Sequence, residues 1–179
     1  MQILWQSIIQ GPLVKLSSLC ILVLFACSAL LVGMGVYLFT RSPETVYFLS
    51  NTSIHDKMPY PALGIAGQWI PTFVHVYAFS LLSVAVFARS RSGVIVICGM
   101  WLLVDSLLEL AQIDTVAGWI AGHVPAWFAV FPILDNMADY FLSGTFDLFD
   151  LVSILAGAFA AYMTVVMITR GRLTDVAST

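Results

Sequence analysis

Charge is what this 179-residue chain has least of: only 9% of its residues are Asp, Glu, Lys or Arg, against roughly 25% in soluble domains. Nothing in that composition can solvate the 60% of residues that are hydrophobic, so a water-soluble globule is excluded. Basic patches interleaved with aromatics are lacking, which argues against a nucleic-acid partner. Cysteine is scarce, and Cys20, Cys27 and Cys98 all fall in apolar runs, where a thiol behaves as a small hydrophobe and no external disulfide framework can form. Glycine-rich phosphate loops are missing, and no serine has a nucleophile's surroundings.

What is present is a set of apolar runs of about 20 residues, the length that spans a hydrocarbon core roughly 30 Å thick. The runs predict an all-α, four-transmembrane-helix bundle over one membrane domain, 1–179. Its spans are about 17–39, 71–88, 93–112 and 148–169, and its outer loops are 40–69 and 113–147. Residues 1–14, with Ile3, Leu4, Trp5, Ile8 and Ile9 before Gly11-Pro12, read as a short interfacial segment. Leu24-Phe25-Ala26-Cys27 loosely resembles a lipoprotein processing site, but the apolar run continues through Val36 and Phe39, well past the 7–15 residues of a signal peptide. The first span is therefore expected to stay as a helix. Pro71 suits the first turn of the second span, and Arg89-Ser90-Arg91-Ser92-Gly93 makes a tight polar turn.

Orientation follows from the basic residues, which are retained on the cytoplasmic side. With both termini inside, Lys15, Arg89, Arg91, Arg170 and Arg172 are cytoplasmic, and only Arg41 and Lys57 lie outside. Residues 116–134 are apolar enough to suggest a fifth crossing. Gly118, Gly122, Pro125 and Pro132 interrupt them, and broken backbone at membrane depth must be buried in protein or line a cavity. An interfacial or re-entrant outer element is expected instead, with Trp119 and Trp127 at the interface. The expected location is a bacterial cytoplasmic (inner) membrane, multi-pass.

The third span carries Asp105, Glu109 and Gln112 at i, i+4 and i+7, one helical face. Ionisable groups within a span cost about 2.5–3.5 kcal/mol on insertion scales and normally face the bundle interior. His75 lies near the outer start of the second span and Asp147 and Asp150 at that of the fourth. The candidate polar cluster is thus His75, Asp105, Glu109, Gln112, Asp147 and Asp150, with His75 and Glu109 expected to act as a unit. No catalytic role can be assigned from these residue types alone. A metal is not expected, because a two-histidine-plus-carboxylate set would need His123 to fold back. Haem is not expected either, since His55 and His123 lie outside the spans, and no cofactor is expected.

The segments Pro71-Thr-Phe-Val-His75-Val-Tyr-Ala-Phe79, Ser106-Leu-Leu-Glu109-Leu-Ala-Gln112 and Thr145-Phe-Asp147-Leu-Phe-Asp150, with Gly157 seven residues on, resemble the VanZ-like family of small bacterial membrane proteins. Some members of that family are associated with tolerance to glycopeptide antibiotics. The resemblance covers the last three spans and carries over His75, the Glu109/Gln112 pair and the Asp147/Asp150 pair. Two positions depart from it: Ser143 and Gly144 stand in the region where the family tends to have an arginine, and Ile154 stands where an asparagine is common. The resemblance implies an envelope protein acting at the outer leaflet on a lipid or cell-wall precursor headgroup, with membrane lipids as partners. Two other functions stay open on the residues: a non-catalytic accessory subunit bound to other membrane protein subunits, and a proton-coupled transport component. Small residues, Gly33 and Gly35 in the first span and Gly157, Ala158, Ala160 and Ala161 in the fourth, permit close helix approach.

Overall fold

The computed structural model describes residues 16–40, 64, 66–131, 134 and 136–170. The N-terminal segment 1–14, residues 41–63 and 65 of the outer loop with Arg41, Glu44, His55, Asp56 and Lys57, and the positions Lys15, Asp135 and Arg172 lie outside the described residues. Among the described residues all regular structure is helical. Helix α1 is Leu16–Thr40, α2 is Ala66–Phe87, α3 is Arg91–Leu110, α4 is Asp114–His123, α5 is Met137–Ser143 and α6 is Leu148–Arg170, with a 3₁₀ turn at Ala126–Val130 between α4 and α5. Four of these, α1, α2, α3 and α6, are long and apolar enough to cross a membrane. The chain is an all-α, multi-pass membrane protein built on a four-helix bundle.

The order of contacts fixes the packing. Helix α2 packs on α1, α3 and α6 and is the hub of the bundle. It runs antiparallel to α3, as the short link over Ala88–Ser90 and the Trp101–Ser83 hydrogen bond of 2.9 Å require. It runs parallel to α6, because its partners there advance together: Trp69 with Asp147, Thr72 with Asp150, Tyr77 with Thr164. The core lies toward the α2–α3 turn and joins Leu22 and Ala26 of α1, Leu81 and Val84 of α2, Cys98 of α3 and Val165 of α6. A smaller cluster of Val76, Ile154 and Ala158 sits between α2 and α6.

Lipid tails are as apolar as the helices, so close packing rather than hydrophobic burial must hold the helices together. Two glycines make that packing possible. A Cβ on Gly157 would stand 2.6 Å from the Phe73 carbonyl oxygen, and one on Gly33 would stand 2.7 Å from Val74 Cγ1. Gly35, by contrast, faces open space.

Helix α2 begins at Ala66, five residues before Pro71, so Pro71 sits inside the helix rather than in its first turn. The lost N–H would have served the carbonyl of Gly67, four residues back, and the ring crowds that same carbonyl. At this early position the cost is one backbone bond, and the chain continues helically. The early start sets His75 nine residues into α2, about 14 Å along its axis, deeper than the sequence placed it.

Among the described residues of 113–147 no helix is long enough for a fifth crossing. Helix α4 has 10 residues and α5 has 7, at most about 15 Å. Val124, extended before Pro125, ends α4, as the residue preceding a proline tends to. Helices α4 and α5 pack on each other and bury Ala117 and Phe141, while the rings of Trp119 and Trp127 face outward.

Candidate functional site

Three backbone features build the site: the start of α2, the end of α3, and the α5–α6 link feeding the start of α6. A cavity of about 610 Å³ opens between them, and all six candidate residues, His75, Asp105, Glu109, Gln112, Asp147 and Asp150, line it. The periodic face of α3 accounts for three of them. Asp105 and Glu109 are buried in the fold, so that face points into the bundle.

His75 Nδ1 stands 3.6 Å from Asp105 Oδ2. The ion-pair contact of His75 is thus with Asp105, while Glu109, the partner expected from sequence, lines the same cavity. The two side chains are unequally covered, with 47% of the imidazole exposed against 8% of the Asp105 carboxyl. The imidazole meets Phe79 edge-on at 4.6 Å between centroids and Trp101 at 6.1 Å, which holds the ring at the cavity wall. At 3.6 Å the contact is an ion pair when the histidine is protonated, not a hydrogen bond. Asp105 Oδ2 is buried without any hydrogen-bond partner.

Glu109 is committed elsewhere. Its Oε1 accepts the backbone N–H of Asp147 at 2.8 Å, one residue before α6 begins. Asp147 caps the same helix end, its Oδ1 accepting the N–H of Phe149 at 2.9 Å. Free N–H groups and the helix dipole favour negative charge there. The α6 N-terminus is further clamped from α2: Trp69 Nε1 donates to Asp147 Oδ2 at 3.4 Å, and the Thr72 hydroxyl donates to Asp150 Oδ1 at 3.0 Å. Trp69 also stacks on Phe149 at 4.7 Å.

On the far wall, Gln112 lies so close to Gly144 that a Cβ there would meet its Oε1 at 2.5 Å. Gly144 is needed for this approach and not for its backbone angles, which are ordinary at φ −69. Tyr140 of α5 lines the cavity beside it. Burial first, then the carboxylates Glu109 and Asp105, push the Tyr140 phenol above its ordinary value.

Comparison with protein-family models, with curated proteins and with solved structures finds no match. The chemistry of the cavity must therefore be read from its own residues.

Four carboxyl groups and one imidazole line it, and none of the lining residues is a lysine or arginine. Among the described residues no three His, Cys, Asp or Glu side chains converge as a metal set would, and His123 turns to its own helix, with Nδ1 2.7 Å from the Trp119 carbonyl oxygen. Trp69, Thr72, Tyr140 and Thr145 were not singled out from sequence. Trp69, Thr72 and His75 recur at intervals of three, so their shared face was discoverable. Tyr140 and Thr145 were not, because the fold of the 113–147 element brings them in.

Proposed function

We propose that this chain is an envelope membrane protein of the VanZ-like kind, its cavity facing the outer leaflet of a bacterial inner membrane and holding the headgroup of a lipid or cell-wall precursor. One observation carries the reading: a polar cavity of about 610 Å³ opens at one end of a bundle whose four long helices expose many large apolar side chains. Water-lined polar pockets within spans are costly and mark ligand paths, and this one has the size of a small-ligand site.

The orientation is supported by charge. Arg89 and Arg91 flank the α2–α3 turn and Arg170 ends α6, all at the end opposite the cavity, and basic residues favour the cytoplasm. The order and spacing of the His75, Glu109/Gln112 and Asp147/Asp150 motifs support the family assignment. As an accessory subunit the chain would need an apolar face set aside for a partner, whereas the outward apolar residues lie on all four long helices, as a lipid-facing bundle requires. Proton-coupled transport would reuse the His75–Asp105 pair as a relay, but beneath the cavity lie the apolar side chains of Val76, Ile154 and Ala158, which cannot carry a proton.

The test is lipid analysis of the protein purified in mild detergent. Wild type is expected to retain about one equivalent of a polar lipid, and a folded Asp105→Asn, Glu109→Gln double variant to lose it. A folded wild-type protein free of lipid, or equal retention by the variant, would overturn the reading. Impermeant thiol reagents should label Asn136→Cys from outside intact cells and leave Ser90→Cys unlabelled; the reverse pattern would invert the orientation.

A further inference from the structure

Below the polar cavity, the same two helices that wall it part to leave an apolar groove of about 330 Å³, lined by Ile95, Cys98, Gly99 and Leu102 of α3 and by Leu155, Ala158, Phe159 and Tyr162 of α6. The two spaces are continuous in sequence and in register. On α3, positions 95, 98, 99, 102, 105, 109 and 112 follow the i, i+3, i+4, i+7 pattern of one face, apolar up to Leu102 and polar from Asp105. Leu102 is one turn, about 4.5 Å, from Asp105. On α6, Ile154 borders the cavity and its neighbour Leu155 borders the groove.

The polar space also has a sign. Asp105, Glu109, Asp147 and Asp150 line one space, with His75 as its one basic group. Asp105, with 8% of its side chain exposed, presents an Oδ2 that no donor satisfies. A buried carboxylate oxygen without a donor is costly, so the fitting ligand brings N–H groups and positive charge. A small divalent ion draws six or more oxygens to about 2.0–2.6 Å, whereas the carboxyls here do not converge on one point. An organic ammonium, with donors spread over a larger head, fits better.

We infer that the ligand is a membrane lipid whose primary ammonium head enters the carboxylate-lined cavity while one of its acyl chains lies in the apolar groove between α3 and α6. This rests on the headgroup-binding reading of the same cavity. The groove runs from Leu102 to Ile95, seven residues or about 10 Å, some two thirds of the depth of one leaflet about 15 Å thick, the direction and reach of an acyl chain. Gly99 leaves it open: a Cβ there would meet nothing within 4 Å, and a larger side chain would occupy groove space.

The test is native mass spectrometry of the full chain in micelles doped with dioleoyl-phosphatidylethanolamine, -phosphatidylcholine or -phosphatidylglycerol, with thermal unfolding run on every variant. Phosphatidylethanolamine is expected to bind about ten-fold more tightly than either of the others, the scale of one charge-assisted hydrogen bond. The choline lipid is the sharp comparison, since its head is cationic but has no N–H. Asp105→Asn should bring phosphatidylethanolamine down to the choline level. Gly99→Leu, with Ile95→Trp at the exposed rim as a second variant, should weaken it about ten-fold while keeping the order of preference. Phosphatidylglycerol or phosphatidylcholine held as tightly as phosphatidylethanolamine would overturn the ammonium head; if those lipids still responded to Asp105→Asn, headgroup binding itself would stand. Groove variants that fold and leave affinity unchanged would overturn the chain seat, and free ethanolamine displacing the lipid at equal concentration would replace it with a soluble amine. Retention of none of the three lipids would overturn this inference and the headgroup reading together.

Discussion

The two ends of the bundle solve the same problem in opposite ways. At the α2–α3 turn the side-chain bonds close on near neighbours: Ser90 Oγ accepts the N–H of Gly93 at 3.1 Å, and Arg89 donates to the Val86 carbonyl, each three residues away. The side chains below, Leu22, Leu81 and Val84, are fully buried. At the cavity end the bonds reach across the chain, over 38 residues from Glu109 to Asp147 and over 78 from Trp69 to Asp147 and from Thr72 to Asp150. Even so, one carboxylate oxygen goes unserved. Local closure makes a stable end; long-range closure around a gap makes an end whose shape depends on several helices at once and whose deficit a ligand can fill.

That contrast can be broken from either side. The largest effect is expected where the helices beneath the cavity touch. Gly157→Leu drives a side chain into the Phe73 backbone, which cannot rotate away, and overpacking of this kind costs about 1–3 kcal/mol or more; size-exclusion chromatography should show loss of the monodisperse folded peak. Asp105→Asn should do the reverse of a core mutation. Removing a buried charge that has no hydrogen-bond donor on Oδ2 and only the half-exposed His75 as ion-pair partner is expected to raise stability by about 1–3 kcal/mol, read as a higher melting temperature, while lipid retention falls. A drop in both would make Asp105 an ordinary structural residue. At the closed end, Ser90→Ala removes the α3 cap and should lower stability by about 1 kcal/mol with lipid retention unchanged. The smallest effect is spectroscopic. The Tyr140 phenol should titrate above the ordinary tyrosine range in an ultraviolet absorbance titration, and Glu109→Gln should bring it down. The stability attached to the neutral phenol is present below its unfolded value and is lost as pH rises through the higher folded one.

Most of the fold was legible because bilayer thickness allows few answers: an apolar run of about 20 residues has one use. The start of α2 was not, because Pro71 suits a first turn so well that the three polar and aromatic residues before it, Gly67, Gln68 and Trp69, read as loop. Their role emerges only once Trp69 is seen donating to Asp147. Within the site, Asp105, Glu109 and Gln112 were visible as a helical face, since 3.6-residue periodicity needs no knowledge of neighbours. The 3.6 Å contact between His75 and Asp105 was not visible, because it depends on how α2 and α3 are set against each other. Tyr140 and the Gly144–Gln112 contact depend on the fold of the 113–147 element, where short helices leave no periodic signature.

The bond from the Asp147 amide to Glu109 also sets an order of events during synthesis. Helices α1 to α3 emerge first, and chains grow at about 5–20 residues per second, so Asp105 and Glu109 enter the membrane seconds before the helix start that completes their wall exists. Until residues 145–150 arrive, the third helix carries two acids with half a pocket around them. The cavity wall is thus completed only when the start of α6 is made, and a chain cut short before α6 would carry the acids into the bilayer without that wall, an intermediate that membrane quality control could recognise by those same uncovered charges.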